Sequence, residues 1–114
     1  AAIKDKKTFF SPHIPKLVFD NNKNLMYMSR APIPSNKANS FIKGWRQVCI
    51  YSFPYNSLKK FSSIKKKTNL ENIEDVESNR FLELGYNIKM LEMSNLSMSI
   101  DTKEDLAKIR KILK

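Results

Sequence analysis

The stretch KLVFDNNKNLMYM at residues 16–28 predicts a β-hairpin. Two short apolar runs, at residues 16–19 and 25–28, have the length and composition of strands. The segment between them, residues 20–24, consists of Asp, Asn and Lys, the first two of which are frequent turn formers. We therefore expect an antiparallel hairpin here.

The chain after the hairpin alternates between extended and helical patterns. Residues 29–34, SRAPIP, form an extended loop because their prolines lack amide donors and restrict the backbone. After a polar segment at residues 35–43, the run WRQVCIYSF at residues 45–53 predicts a buried strand. Pro54 suits the first turn of a short helix through Phe61.

Two longer helices are predicted from their capping residues. Thr68 and Glu71 have the spacing of a capping box, and Gly85 suits the C-terminal end of a helix over residues 68–84. A strand is expected at residues 87–93, followed by a final helix that Thr102 caps.

This order of elements, β-β-β-α-α-β-α, predicts an α/β layer structure. Residues 1–15 are rich in Lys and then interrupted by prolines, which is typical of a poorly ordered lead-in. We therefore expect a single α/β domain at residues 16–114.

Composition excludes several kinds of site. Only 2 glycines occur in 114 residues, so neither a P-loop nor a dinucleotide-binding fingerprint can be formed. The 21 Lys and Arg against 11 Asp and Glu give a net charge of +10, which attracts polyanions in general. Because clusters such as residues 65–67 usually lie on a solvated surface and no base-reading motif accompanies them, specific nucleic-acid binding is not expected.

The single cysteine, Cys49, excludes an intrachain disulfide and a thiolate metal cluster. No apolar run reaches the length of a membrane span, and the first residues lack the apolar core of a signal peptide. The expectation is a soluble protein of the reducing cytoplasm.

Four stretches, in this order, resemble the C-terminal half of the CMP-KDO synthetases, the 3-deoxy-manno-octulosonate cytidylyltransferases. They are LVFDNNKNLMYMSRAPIP at residues 17–34, VCIY at 48–51, LENIEDVESNRFLELGYNI at 70–88 and SIDTKEDLAKIRKIL at 99–113. The resemblance implies the C-terminal part of a Rossmann-like nucleotide-diphospho-sugar transferase fold, with a β-hairpin and a mixed sheet flanked by helices.

The resemblance also implies an activity. Members of the family use Mg²⁺ while the anomeric hydroxyl of an acidic sugar attacks the α-phosphate of CTP, which yields a CMP-sugar for lipopolysaccharide or surface-polysaccharide synthesis and pyrophosphate. Their N-terminal basic loop, which holds the CTP phosphates, has no counterpart in these 114 residues. We therefore expect this chain to be inactive by itself, and its complete protein to bind CTP and to form a homodimer.

The resemblance assigns roles to individual residues. Asp101, between a predicted strand and helix, would be catalytic and bind Mg²⁺, although capping of the last helix is the simpler role. Arg30 would bind the sugar carboxylate, Tyr51 would line the sugar pocket, and Glu77 would accept hydrogen bonds from sugar hydroxyls. Alternatively, Arg30 is a surface arginine and Tyr51 a half-buried strand residue. Arg80, three residues after Glu77, is placed to pair with it.

Three positions depart from the family pattern. Gln47 stands where the family usually has histidine, Cys49 where it has glycine and Ser78 where it has glutamine. Gln47 and Ser78 are expected to bind substrate, so the identity of the acidic sugar stays open: KDO, a modified KDO or another acid. The alternative function is a non-catalytic sugar-binding or dimerisation module derived from the same fold.

Overall fold

The computed structural model describes residues 1–94, 100 and 102–113. Its elements in chain order are α1 (Lys6–Phe10), β1 (Lys16–Phe19), β2 (Leu25–Ser29), β3 (Trp45–Arg46), α2 (Tyr55–Ser63), α3 (Asn69–Glu74), α4 (Ser78–Glu83) and α5 (Lys103–Ile112). Strands and helices share one structure, which confirms the α/β class. Among the described residues, no helix is long and apolar enough to cross a membrane.

The predicted hairpin is present as β1 and β2, and β3 pairs with the other edge of β1. Leu17 of β1 lies opposite Met28 of β2 and opposite Trp45 of β3. Both pairings are antiparallel, and the sheet order is β2-β1-β3. The prediction of a mixed sheet is therefore wrong for the part of the chain that the structure describes.

The core lies between this sheet and the helices α3 and α4. Leu17, Leu25 and Met28 from the hairpin pack with Val76, which lies between the two helices, and each is at most 6% exposed. Burying a side chain of this size contributes about 1.5–3 kcal/mol. The hairpin is therefore anchored where α3 meets α4, next to the predicted site residue Ser78 at the start of α4.

The N-terminal segment differs from the predicted poorly ordered lead-in at residues 1–15. Asp5 caps α1 by accepting from the Thr8 amide at 2.8 Å, and Phe9 within the helix is 1% exposed. The Ile3 amide donates to the Gly44 carbonyl at 2.9 Å. A Cβ atom at Gly44 would lie 2.8 Å from the Phe9 ring, so a glycine is needed for this close packing. The prediction was misled by the lysines of this segment, because Ile3 and Phe9 on either side of them are buried.

The predicted strand at residues 45–53 ends after Arg46 in the structure. Continued pairing would place Gln47 opposite Pro15, and proline has no amide hydrogen to complete the ladder. The Gln47 amide still donates to the Pro15 carbonyl at 3.1 Å, but residues 47–54 have no regular structure. Within this segment Ile50 is 69% exposed, so the prediction of a buried strand is wrong beyond Arg46.

The predicted helix at residues 68–84 is divided into α3 and α4. Asp75 adopts a left-handed conformation (φ 50°, ψ 50°), and the carbonyls of Glu74 and Asp75 accept hydrogen bonds from the Arg30 guanidinium instead of continuing the helix. The predicted ends are confirmed. Thr68 and Glu71 form the capping box, and Gly85 ends α4 at φ +80°.

The last two predicted elements have different outcomes. Residues 87–93 form no strand, and only Lys89 bridges to Asn24. The final helix is confirmed as α5, whose N-terminus is capped by the Thr102 side chain, which accepts from the Asp105 amide at 3.2 Å. The short helix after Pro54 is confirmed as α2.

Candidate functional site

A cavity of about 570 Å³ lies between the hairpin, the segment 47–54 and the chain that follows α4. Its volume lies within the range of about 300–1,000 Å³ that is typical of small-molecule sites. Its lining is mainly apolar, with Leu17, Met28, Trp45, Phe81, Ile88 and Met90 among the contributing residues. A ligand ring would therefore contact an apolar surface.

Three of the predicted substrate-binding residues, Gln47, Tyr51 and Ser78, line this cavity together. The Gln47 side-chain amide donates to the Tyr51 hydroxyl. Burial raises the pKa of Tyr51, and a hydrogen bond with Ser78 acts in the opposite direction. Tyr51 is therefore a neutral phenol at physiological pH, able both to donate and to accept a hydrogen bond.

The charged groups that line the cavity are mainly cationic. Among the described lining residues, Lys23, Arg46 and Lys89 contribute positive charges, and Glu92 contributes a carboxylate. Lys23 lies 4.8 Å from the centre of the Phe19 ring, and the Lys89 ammonium donates to the Asn22 carbonyl. These charges favour an anionic ligand over a neutral one.

Arg30 lies elsewhere, and it is not part of the cavity lining. Its guanidinium donates to the carbonyls of Glu74 at 2.6 Å, Pro12 at 3.0 Å and Asp75 at 3.1 Å. These bonds connect the end of the hairpin to the end of α3. The structure therefore gives Arg30 a structural role, and its binding of a sugar carboxylate stays a prediction.

Glu77 is also outside the cavity lining, although it directly precedes Ser78. It is exposed at the N-terminus of α4, and its binding to sugar hydroxyls likewise stays a prediction. The predicted pair between Glu77 and Arg80 does not form. Arg80 instead binds Glu71 through two hydrogen bonds of 2.6 Å each.

This ion pair between Glu71 and Arg80 is almost fully buried, with side-chain exposures of 1% and 10%. The hydrogen bonds from Arg80 lower the pKa of Glu71, and those to Glu71 raise the pKa of Arg80. Both groups are therefore charged at neutral pH. The sequence predicted only the capping role of Glu71, since nothing in the local pattern indicated the buried partner.

Glu74, the last residue of α3, is partly buried and binds the hairpin. Its carboxylate accepts from the Ser29 hydroxyl at 2.6 Å, the Tyr27 hydroxyl at 3.0 Å and the Arg30 amide at 2.8 Å. Burial acts to raise the pKa of Glu74, but these hydrogen bonds hold it below its usual value. The partners are more than 40 residues away in sequence, so local spacing could not reveal them.

The predicted magnesium ligand, Asp101, lies outside the described residues. Among the residues that are described, no group of three or more His, Cys, Asp or Glu side chains could hold a metal ion. The described part of the chain therefore offers no complete magnesium site to test against the expected cofactor.

The sequence matches relatives of one kind. A family model described as cytidylyltransferase matches residues 1–112. The chain is 38% identical to a 3-deoxy-manno-octulosonate cytidylyltransferase from Thermodesulfovibrio yellowstonii, covering 97% of this chain and 46% of the relative. It is 37% identical to a protein of the same name from Syntrophus aciditrophicus, covering 90% of this chain and 41% of the relative.

A third relative differs in its named sugar. The 8-amino-3,8-dideoxy-manno-octulosonate cytidylyltransferase of Shewanella halifaxensis is 35% identical, covering 91% of this chain and 42% of the relative. The chain thus spans less than half the length of these curated relatives.

The fold also matches a solved structure, described as a CMP:2-keto-3-deoxy-manno-octonic acid synthetase complexed with CTP. The TM-score is 0.84 at 26% sequence identity. The match covers 98% of this chain and 46% of that one.

Proposed function

Because this chain belongs to the cytidylyltransferase family, we propose that it is the C-terminal part of an enzyme that transfers CMP from CTP to an acidic sugar. The observation that carries the proposal is the position of Gln47, Tyr51 and Ser78 in one mainly apolar cavity whose described charged side chains are mostly cationic. An apolar surface with a few converging polar groups suits a sugar ring, and the positive charges suit its carboxylate. The named activities of the relatives support the same substrates.

In the proposed reaction, the anomeric oxygen of the sugar attacks the α-phosphorus of CTP. The new bond joins that oxygen to phosphorus, the bond from the α-phosphorus to pyrophosphate breaks, and the hydroxyl proton is released to solvent. The residues of this chain bind and orient the sugar, and orientation of two reactants is itself a large contribution to rate. Tyr51 and Ser78 supply hydroxyls, and Gln47 holds the Tyr51 hydroxyl.

The remaining parts of the proposal concern the complete protein. The nucleotide site and the basic phosphate-binding loop would come from the portion of the relatives that this chain does not match. Mg²⁺, held by Asp101 and a further carboxylate from that portion, would offset charge on the transferring phosphoryl group. We also propose that the complete protein has a Rossmann-like fold, forms a homodimer and works in the cytoplasm.

The test is magnesium-dependent release of pyrophosphate from CTP by the complete protein that carries this sequence. KDO and its 8-amino-8-deoxy derivative are compared as acceptors, with a neutral hexose as the control. We expect release with at least one acid, and a decrease of 100-fold or more in Asp101→Asn, on the order expected when a metal ligand is lost. Full activity in Asp101→Asn would overturn the proposed role of Asp101 as a Mg²⁺ ligand. No release with any acid would instead favour a binding or dimerisation module.

A further inference from the structure

A column of aromatic rings leads from the cavity into the protein. The rings of Tyr51 and Phe53 stack with centres 5.8 Å apart and planes 20° apart. Phe53 stacks on Phe81 at 5.0 Å and 18°, and Phe81 stacks on Phe61 at 4.8 Å and 14°. Four rings from the segment 47–54, α4 and α2 thus lie nearly parallel.

The column ends on the buried ion pair. The Arg80 guanidinium carbon lies 4.0 Å from the centre of the Phe61 ring, in the geometry of a cation–π contact. The same guanidinium binds Glu71 through two hydrogen bonds, and it also donates to the Ile64 carbonyl at 3.2 Å. Because both partners are charged, planar and almost fully buried, this end of the column has little freedom to move.

The other end lies on a segment with few constraints of its own. Residues 47–54 have no regular structure, and Tyr51 and Phe53 are 46% and 42% exposed. Within this segment the amide of Ile50 donates to the nearby Val48 carbonyl, which does not connect it to another element. Tyr51 is therefore connected to the folded core through Phe53, which stacks on Phe81, and through its hydrogen bond with Ser78.

We infer that Phe53 and Phe81 are positioning residues, which hold Tyr51 beside Ser78 through a column anchored on the pair of Arg80 and Glu71. The inference rests on the proposed function, because it gives Tyr51 its role toward an acidic sugar. Phe81 and Ser78 lie on the same helix, so one element fixes both the ring and its polar neighbour. Each stacked ring pair stabilises its arrangement beyond area burial, which is enough to shift the preferred position of a partly exposed side chain.

The experiment measures the nuclear Overhauser contact between the Tyr51 ring and Ser78 by NMR in this chain with ¹³C-labelled tyrosine, and the Tyr51 signals are assigned with Tyr51→Phe. The test variant is Phe53→Leu, which keeps apolar volume and removes the ring. Because Phe53 is partly exposed, we expect the variant to keep its fold. Phe53→Tyr restores a ring at the same position. Phe41→Leu is the matched control, because it removes a ring that contacts Phe9 at 5.0 Å outside the column.

We expect Phe53→Leu to weaken the contact between the Tyr51 ring and Ser78 and to raise the Kd for KDO, read from the Tyr51 ring signal, by about threefold to tenfold. Phe53→Tyr should restore the Kd to within about twofold. Phe41→Leu should leave both readouts unchanged. An unchanged contact between Tyr51 and Ser78 in Phe53→Leu, or an equal change in Phe41→Leu, would overturn the inference.

The two proposals can fail separately in this experiment. If the contact between Tyr51 and Ser78 weakens in Phe53→Leu but the wild-type chain shows no response to KDO or its 8-amino-8-deoxy derivative, the result supports the positioning of the ring and contradicts the sugar site. A wild-type chain that binds KDO while Phe53→Leu binds equally well supports the sugar site and overturns the positioning role.

Discussion

The hairpin and the segment 47–54 have similar apolar sequences and very different structures. The hairpin residues Leu17 and Met28 are paired and buried, with exposures of 3% and 2%. Ile50, in an equally apolar run, is 69% exposed and belongs to no strand. The difference shows that an apolar run becomes a strand only where a partner edge can complete its hydrogen bonds, which Pro15 prevents after Arg46.

The same contrast extends to the polar groups. On the hairpin side, Glu74 and Arg30 have multiple hydrogen-bond partners, and the pair of Glu71 and Arg80 is buried. On the segment 47–54, the side chains of Gln47 and Tyr51 are hydrogen-bonded to each other at the cavity, and both line it. We therefore expect substitutions on the hairpin side to affect folding, and substitutions on the segment to affect ligand binding.

The largest effect is expected from Arg80→Met, which leaves the Glu71 carboxylate buried without its partner. Breaking a buried pair in this way lowers the free energy of unfolding by about 3–5 kcal/mol. Urea denaturation measures the change. Lys108→Met is the control, because Lys108 pairs with Asp105 at 3.5 Å while 59% exposed, and its loss should cost less than about 1 kcal/mol. Equal effects of the two variants would contradict the buried pair.

A second comparison uses two methionines of the same strand. Met28 is 2% exposed and Met26 is 64% exposed. Met28→Ala should lower the free energy of unfolding by about 2–5 kcal/mol because it leaves a cavity in the core. Met26→Ala should change it by less than about 0.5 kcal/mol. A larger loss from Met26→Ala, measured by the same denaturation, would mean that β2 faces the other way.

The lowered pKa of Glu74 predicts that the stability of the hairpin side depends on pH. Its folded-state pKa lies below the ordinary value of 4.5, so its contribution is complete above that pH and is lost as the pH falls through the folded pKa. Glu74→Gln should cost about 1.5–3 kcal/mol at neutral pH, as expected for hydrogen bonds to a charged group.

This cost should decrease as the pH is lowered below 4.5, because the wild-type carboxyl then becomes protonated. Thermal or urea unfolding of both proteins between neutral and acid pH measures it. Glu77→Gln, three residues further along and exposed, is the matched control and should have little effect at any pH. If the cost of Glu74→Gln stays constant down to acid pH, the ionised carboxylate of Glu74 is not the source of the lost stability.

The smallest effect on stability is expected at Ile50. Ile50→Ala should change the free energy of unfolding by less than about 0.5 kcal/mol, whereas Leu17→Ala should cost about 2–5 kcal/mol. The pair tests directly whether similar apolar residues differ because of their pairing. A cost above about 1.5 kcal/mol at Ile50 would indicate a buried strand, as the sequence pattern alone predicted.

Local signals in the sequence were sufficient to predict the hairpin, the caps of the helices that begin after Thr68 and Thr102, and the glycine that ends α4. Each of these depends on residues that are near one another in the chain, such as Thr68 and Glu71 or Thr102 and Asp105. The division of the predicted long helix was not predictable in this way, because it depends on Arg30, which lies 45 residues before Asp75.

The candidate site shows the same limit. The resemblance to a family placed Gln47, Tyr51 and Ser78 in a pocket, and the structure brings these three together. The spacing of residues in the sequence did not predict the contacts of Glu74, the aromatic column or the position of Arg30. Each of these depends on contacts between distant segments. Asp101 lies outside the described residues, so its proposed role rests on the resemblance.

The most direct test of the proposed function is reconstitution of a divided enzyme. The portion of the Syntrophus aciditrophicus relative that this chain does not match is produced separately and mixed with this chain, CTP, KDO and Mg²⁺. The matched portion of that relative is the positive control. We predict pyrophosphate release only when both parts are present, and its loss in Tyr51→Ala. Release with the relative's own portion but none with this chain would contradict the proposal that this chain supplies a working sugar site.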